Sequence, residues 1–176
     1  MSDSLYFDND CISAFLWTKT EWILESLFPN NILVPKEVYI ELSKVPYLKG
    51  RIDNLINSGQ ATIHEIILGS EESNLFQSLT GLTEGKRIVI GKGEAAVLSL
   101  VKFRGGIVAS NNLKDISDYI KEYCLRHTTT AEILVEAFEN GLITEIDANN
   151  IWANMLAKKR KLGATTFSDY YKSKSH

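Results

Sequence analysis

The chain has 176 residues, 44 % of them hydrophobic and only three of them proline, which excludes a disordered polymer and suits one α/β domain with a buried core. Its net charge of −3 is unevenly spread: residues 1–150 hold 13 basic and 21 acidic side chains, the remainder six basic and one acidic. A mildly acidic body with a basic tail excludes a generic DNA-coating protein and suits a local contact with a polyanion.

Leu5-Tyr6-Phe7 reads as a short strand ending at Asp8-Asn9-Asp10. Ile12, Phe15 and Leu16, then Trp22, Ile23 and Leu27, have helical spacing, with a break expected near Thr18 to Thr20. Ile32 to Val34 is a second strand, and Pro35 opens a helix to about Lys44 with Val38, Leu42 and Val45 inward. Tyr47 to Asn57 is a helix, Ala61 to Ile67 a strand, and Ser70 to Leu79 a helix with an acidic first turn. The apolar run Ile88-Val89-Ile90 precedes Gly91-Lys92-Gly93 and a helix from Lys92 to Phe103, which Gly105-Gly106 stops. Ile107 to Ala109 is a strand, Asn112 to about Tyr123 a helix, Leu125 to His127 a strand, and Thr130 to Glu139 a helix. Asp147 to Lys159 closes the core, and the tail after Gly163 is expected to be loosely held.

Apolar strands alternating with helices predict a mostly parallel central sheet covered on both faces, an α/β/α sandwich. With no repeat or linker, residues 1–176 form one domain: a core of about 4–145, then a basic C-terminal helix and tail, 146–176. No apolar run reaches the roughly 18 residues of a membrane span, and Asp3, Asp8 and Asp10 stand where a secretory signal would be basic. Cys11 and Cys124 lack metal or CxxC spacing and read as reduced, buried thiols of a cytoplasmic protein.

In such folds, sites lie at the carboxyl ends of the strands. Asp8 follows the first strand, Glu41 lies one turn into the helix after the second, Glu94 enters the first turn after the glycines, and Asp115 follows the strand at Ile107. Each has a plainer reading: Asp8 and Asp10 as turn and helix cap, Glu94 as a complement to the helix dipole, Asn112-x-x-Asp115 as a capping box, and Glu41 as a surface acid rivalled by Glu37. Gly91-x-Gly93-x-x-Ala96 is also a weak dinucleotide-binding fingerprint, with Asp115 at about the right distance for a ribose contact.

Phe7-Asp8-Asn9-Asp10, Val34-Pro35-x-x-Val38-x-x-Glu41-Leu42, Gly93-Glu94-Ala95-Ala96-Val97-Leu98 and Ser110-Asn111-Asn112-Leu113-Lys114-Asp115-Ile116 together resemble the successive motifs of PIN-domain nucleases, most of all the VapC-type toxins. The resemblance spans roughly residues 4 to 145 and implies a PIN-like fold and metal-dependent hydrolysis of RNA. It carries the metal-binding acids to Asp8, Glu41, Glu94 and Asp115, with Asp8 and Glu94 as direct ligands, Asp115 direct or through water, and Glu41 orienting a second ion or a water. Glu94 stands where the family often has Asp, and Asn9-Asp10 replaces Thr-Asn or Thr-Ser, leaving Asp10 as an extra acid near the metal.

Four carboxylates brought together repel unless a cation joins them. An all-oxygen set without His or Cys favours Mg²⁺ or Mn²⁺ over zinc. Such a cation would activate a water and stabilise the leaving oxygen. Ser110 either holds a water or phosphate or merely ends its strand. Lys114 and the run Lys158, Lys159, Arg160, Lys161 either contact RNA phosphates or, for the run, form a solvated helix end. His64, His127 and His176 lack ligand spacing, and Trp17, Trp22 and Trp152 read as core or interface residues. As expected partners the resemblance adds RNA, a cognate antitoxin and a second copy in a homodimer; no membrane is expected. The rival readings are a catalytically idle PIN-like binding module and a dinucleotide-binding enzyme, against which Glu94 would repel a pyrophosphate in the same turn.

Overall fold

The computed structural model describes residues 3–81 and 89–175. Among these, five strands form one sheet: β1 (Leu5–Phe7), β2 (Ile32–Pro35), β3 (Ala61–His64), β4 (Ile107–Ala109) and β5 (Arg126–Thr128). All pair in parallel, in the order β3-β2-β1-β4-β5. Helices α1 (Asn9–Trp17) and α2 (Glu21–Leu27) join β1 to β2, and α3 (Lys36–Ser43) and α4 (Pro46–Asn57) join β2 to β3. Helices α5 (Glu71–Leu79) and α6 (Lys92–Arg104) lie between β3 and β4, and α7 (Leu113–Glu122) joins β4 to β5. Helices α8 (Thr130–Glu139), α9 (Glu145–Ala157) and α10 (Phe167–Lys174) follow the last strand.

Every residue of β1 and β2 is buried, which needs cover on both faces of the sheet. The chain moves outward from β1 through β2 to β3, then returns to β4 and β5 on the other side. Right-handed crossovers in these two directions carry helices to opposite faces and give a three-layer α/β/α fold. Helix α6 runs against β1, β2 and β4, and its residues from Ala95 to Val101 are all buried. The one hydroxyl in that stretch, Ser99, donates to the Ala95 carbonyl at 2.7 Å, so no polar group is stranded.

The predicted elements are present, with differences that have local causes. Pro35 is the last residue of β2 and the N-cap of α3 rather than its first residue, since its ψ of 145° is still extended. Strand β3 ends at His64, three residues early, once it has run out of β2 residues to pair with. In the apolar run ahead of Gly91, for which no strand is expected, Val89 is exposed and the Ile90 N–H donates to the Leu79 carbonyl at the end of α5. Ile88 lies outside the described residues. Cys11 is buried, but Cys124 is exposed, because it occupies a left-handed turn (φ 53°) after α7.

The tail is not loose. Thr166 caps α10 by accepting the Asp169 N–H, and Phe167 is fully buried against Phe138 and Trp152. The indole N–H of Trp152 donates to the Ala164 carbonyl at 3.0 Å, tying this segment to α9. Helix α9 itself packs on α1 and α8. No helix among the described residues is long and apolar enough to cross a membrane.

Candidate active site

Strands β1 and β4 pair with Phe7 opposite Ala109, so Asp8 and Ser110 leave the sheet side by side, where the strand order switches direction. Asp8 is the N-cap of α1: its Oδ1 accepts the Cys11 N–H at 2.8 Å and its Oδ2 accepts the Ser110 hydroxyl. The cap reading is therefore met, by a carboxylate that also lies where the strand order reverses. Asp8 is only 2 % exposed, and burial pushes its carboxyl up to about 7. The hydrogen bonds from Ser110 and Cys11 oppose that rise, and the charges of Glu94 and Asp10 add to it.

The other three acids connect to Asp8 through two asparagines. Next to Asp8, the Asn9 amide donates to Glu41 Oε2 at 3.2 Å. Glu41 lies over Gly93: a Cβ there would come within 3.3 Å of Glu41 Oε1. Beside Gly93, Glu94 folds back over Gly91, where a Cβ would collide with Glu94 Oε2. The Asn112 amide then donates to Glu94 Oε1 at 3.2 Å and to Asp115 Oδ2 at 2.8 Å. Its backbone N–H donates to Ser110 Oγ at 3.1 Å, which returns to Asp8. Asp8, Asn9, Glu41, Gly93, Glu94, Asn112 and Ser110 thus form a closed circuit, with Asp115 on the Asn112 side.

This geometry changes the meaning of two motifs. Gly91 and Gly93 lie beneath carboxylates, and Val89 and Ile90 just ahead of them are not strand, so among the described residues no strand runs directly into the glycines as a dinucleotide fingerprint requires. Asn112-x-x-Asp115 is not a capping box either: the Asn112 side chain caps no backbone N–H and binds the two carboxylates instead. Asn9 and Asn112 are the site residues that sequence reading passed over. Their signal was an amide adjacent to, or three residues before, a candidate acid. Asn111 has a supporting part, exchanging hydrogen bonds with Thr130 (2.8 and 2.9 Å) that fix the loop after β4.

The basic residues are close by. A cleft of about 430 Å³ is lined by Asp10, Asn111, Asn112, Leu113, Lys114, Asp115, Lys159, Arg160 and Lys161. Arg160 turns to the start of α1, within 3.4 Å of Asp10 Oδ1 and 3.0 Å of Ser13 Oγ. Asp10 is therefore an exposed acid at the rim, outside the circuit. Lys158 leaves the cleft and sits over the Trp17 ring, 5.1 Å from its centroid. Glu37 remains apart from the circuit, with one buried carboxylate oxygen that has no partner.

Among the described residues, none of Asp8, Glu41, Glu94 and Asp115 is in an ion pair with lysine or arginine. Nor do three or more His, Cys, Asp or Glu side chains converge into a ready metal cage. The amides of Asn9 and Asn112 space the carboxylates instead. The fit to a hard divalent cation lies in the donor set: carboxylate oxygens from four separate segments, amides but no cations between them, and one acid buried at a cost that a cation would relieve. No protein-family model and no curated protein matches the sequence.

Proposed function

We propose that the chain is a PIN-like, metal-dependent endoribonuclease that hydrolyses RNA phosphodiesters. The observation that carries the proposal is the closed circuit of acids at the switch point of a parallel sheet, held by neutral amides and bordered by a lysine-lined cleft. Asp8, Glu94 and Asp115 would hold Mg²⁺ or Mn²⁺, and Glu41 would orient a water or a second ion. When bound, the cation supplies a more acidic water and neutralises charge on the phosphate.

The chain's own residues do the positioning. Asn112 sets the direction of Glu94 and Asp115 together, and Asn9 holds Glu41. Ser110 keeps Asp8 in one rotamer by bonding Oδ2 while the α1 backbone bonds Oδ1. Lys114, Lys159 and Lys161 offer three cations to RNA phosphates along the cleft. A dinucleotide laid on Gly91 and Gly93 would meet the Glu94 and Glu41 carboxylates, which disfavours the cofactor reading.

The test is cleavage of varied RNAs with Mg²⁺ or Mn²⁺. Asp8→Asn and Glu94→Gln are each expected to lose at least about 100-fold, since even changes behind a metal ligand cost 10–100-fold. Absence of cleavage by the wild type, with tight binding of NAD, would sink the proposal; metal binding without cleavage would favour an idle binding module. The resemblance extends the proposal to the toxin of a toxin–antitoxin pair. Growth arrest on expression in a bacterium, abolished by Asp8→Asn and relieved by the product of an adjacent small reading frame, is the expected result.

A further inference from the structure

We infer that the turn after α9 is a binding site for RNA backbone phosphates flanking the scissile one, and that Asp10 is the positioning residue that holds it in place. The inference rests on the ribonuclease reading for its ligand, but its geometry stands separately.

The turn is built as a fixed object. Lys159 takes a left-handed conformation (φ 59°), an uncommon state for a side chain with a Cβ. The Arg160 N–H donates to the Met155 carbonyl at 3.0 Å, closing the end of α9, and the next residue but one, Leu162, is buried. Arg160 adds a lateral tie: its guanidinium reaches Asp10 and Ser13 on α1 while its Nε donates to the Lys158 carbonyl at 3.0 Å. Arg160 is thereby occupied with protein, and the lysines on either side, Lys159 and Lys161, are exposed along the cleft that Asp115 and Asn112 also line.

The partner of Arg160 is instructive. Asp10 is two residues from Asp8, so the helix end that carries the buried acid also carries the anchor of the basic turn. An ion pair this exposed contributes little to folding. Its effect is on register, fixing where two phosphate-binding charges stand relative to the acidic circuit.

The experiment measures affinity for a labelled single-stranded RNA by fluorescence anisotropy in EDTA, across salt, and steady-state cleavage in Mn²⁺. The double change Lys159→Gln, Lys161→Gln is expected to weaken binding about 10-fold near 0.1 M salt. It should also flatten the slope of log affinity against log salt by roughly 1.4, two contacts at about 0.7 each. Asp10→Asn is expected to weaken binding about threefold and raise KM with kcat held, and the exchange Asp10→Arg with Arg160→Asp to restore both. The sign is diagnostic, because removing a negative charge without a positioning effect would tighten RNA binding. Unchanged affinity and slope in the lysine double variant overturn the inference. So does an Asp10→Asn variant with weaker metal dependence and unaltered RNA affinity. Cleavage indifferent to the lysines removes the phosphate site and leaves the nuclease; RNA held through the lysines but never cleaved does the reverse.

Discussion

Asp8 is the buried carboxylate of the circuit, and its pH behaviour follows from its surroundings. Its carboxyl sits at about 7 in the folded chain, against an ordinary value of 3.8, because burial disfavours the ionised form. A folded value above the unfolded one contributes stability that is full below pH 4 and is lost as pH rises through 7. Three units correspond to at most about 4 kcal/mol. In metal-free buffer, Asp8→Asn is therefore expected to match the wild type in urea denaturation near pH 3.5 and to exceed it near pH 8. A difference independent of pH would refute this. The asparagine replaces the carboxylate at similar size, still accepts the Cys11 N–H, and turns an N–H toward Ser110 Oγ as a protonated carboxyl would, so the pH dependence of the difference reports charge.

At the level of elements, α10 is held by one residue above all. Phe167 is fully buried, edge-on to Phe138 at 5.5 Å and to Trp152 at 6.0 Å between ring centroids. Phe167→Ala is expected to cost about 3–5 kcal/mol, lowering the melting temperature by roughly 6–20 °C in a thermal scan. An unchanged melt would mean that α10 contributes little to the core. This helix also marks the limit of sequence reading. Its cap, Thr166-x-x-Asp169, and its aromatic stripe, Phe167, Tyr170 and Tyr171, are helical signals, but shortness and a position near the terminus argued the other way. Strands β1, β2 and β4 were legible because burial on both faces makes them continuously apolar. The positions of Asp8, Glu41 and Asp115 followed from counting past those strands, and that of Glu94 from the glycines that open its helix. What links the acids was not legible, since whether Asn112 caps its helix or turns to Glu94 depends on a residue 18 positions away.

For the whole molecule, a cation held as proposed would make stability and cation binding one equilibrium. A cation that binds only the folded chain stabilises it by about 2.7 kcal/mol at 100 times its dissociation constant, roughly 5–11 °C in melting temperature for a chain of this size. Such a rise is expected with Mn²⁺ near pH 7.5, smaller near pH 6, where a proton on Asp8 competes, and absent in Glu94→Gln. An equal rise in that variant would assign the effect elsewhere. The bond between Asp8 and Ser110 spans 102 positions of chain, and the path from one to the other passes through Glu41 and Glu94. Synthesised from its N-terminus at about 5–20 residues per second, the chain needs roughly 5–20 s between these two residues. For that interval Asp8 exists without Ser110, the hydroxyl that holds its second oxygen. Asp8 and Ser110 meet only once β4 has joined the sheet, so on the nuclease reading a nascent chain stopped before β4 is expected to be inactive.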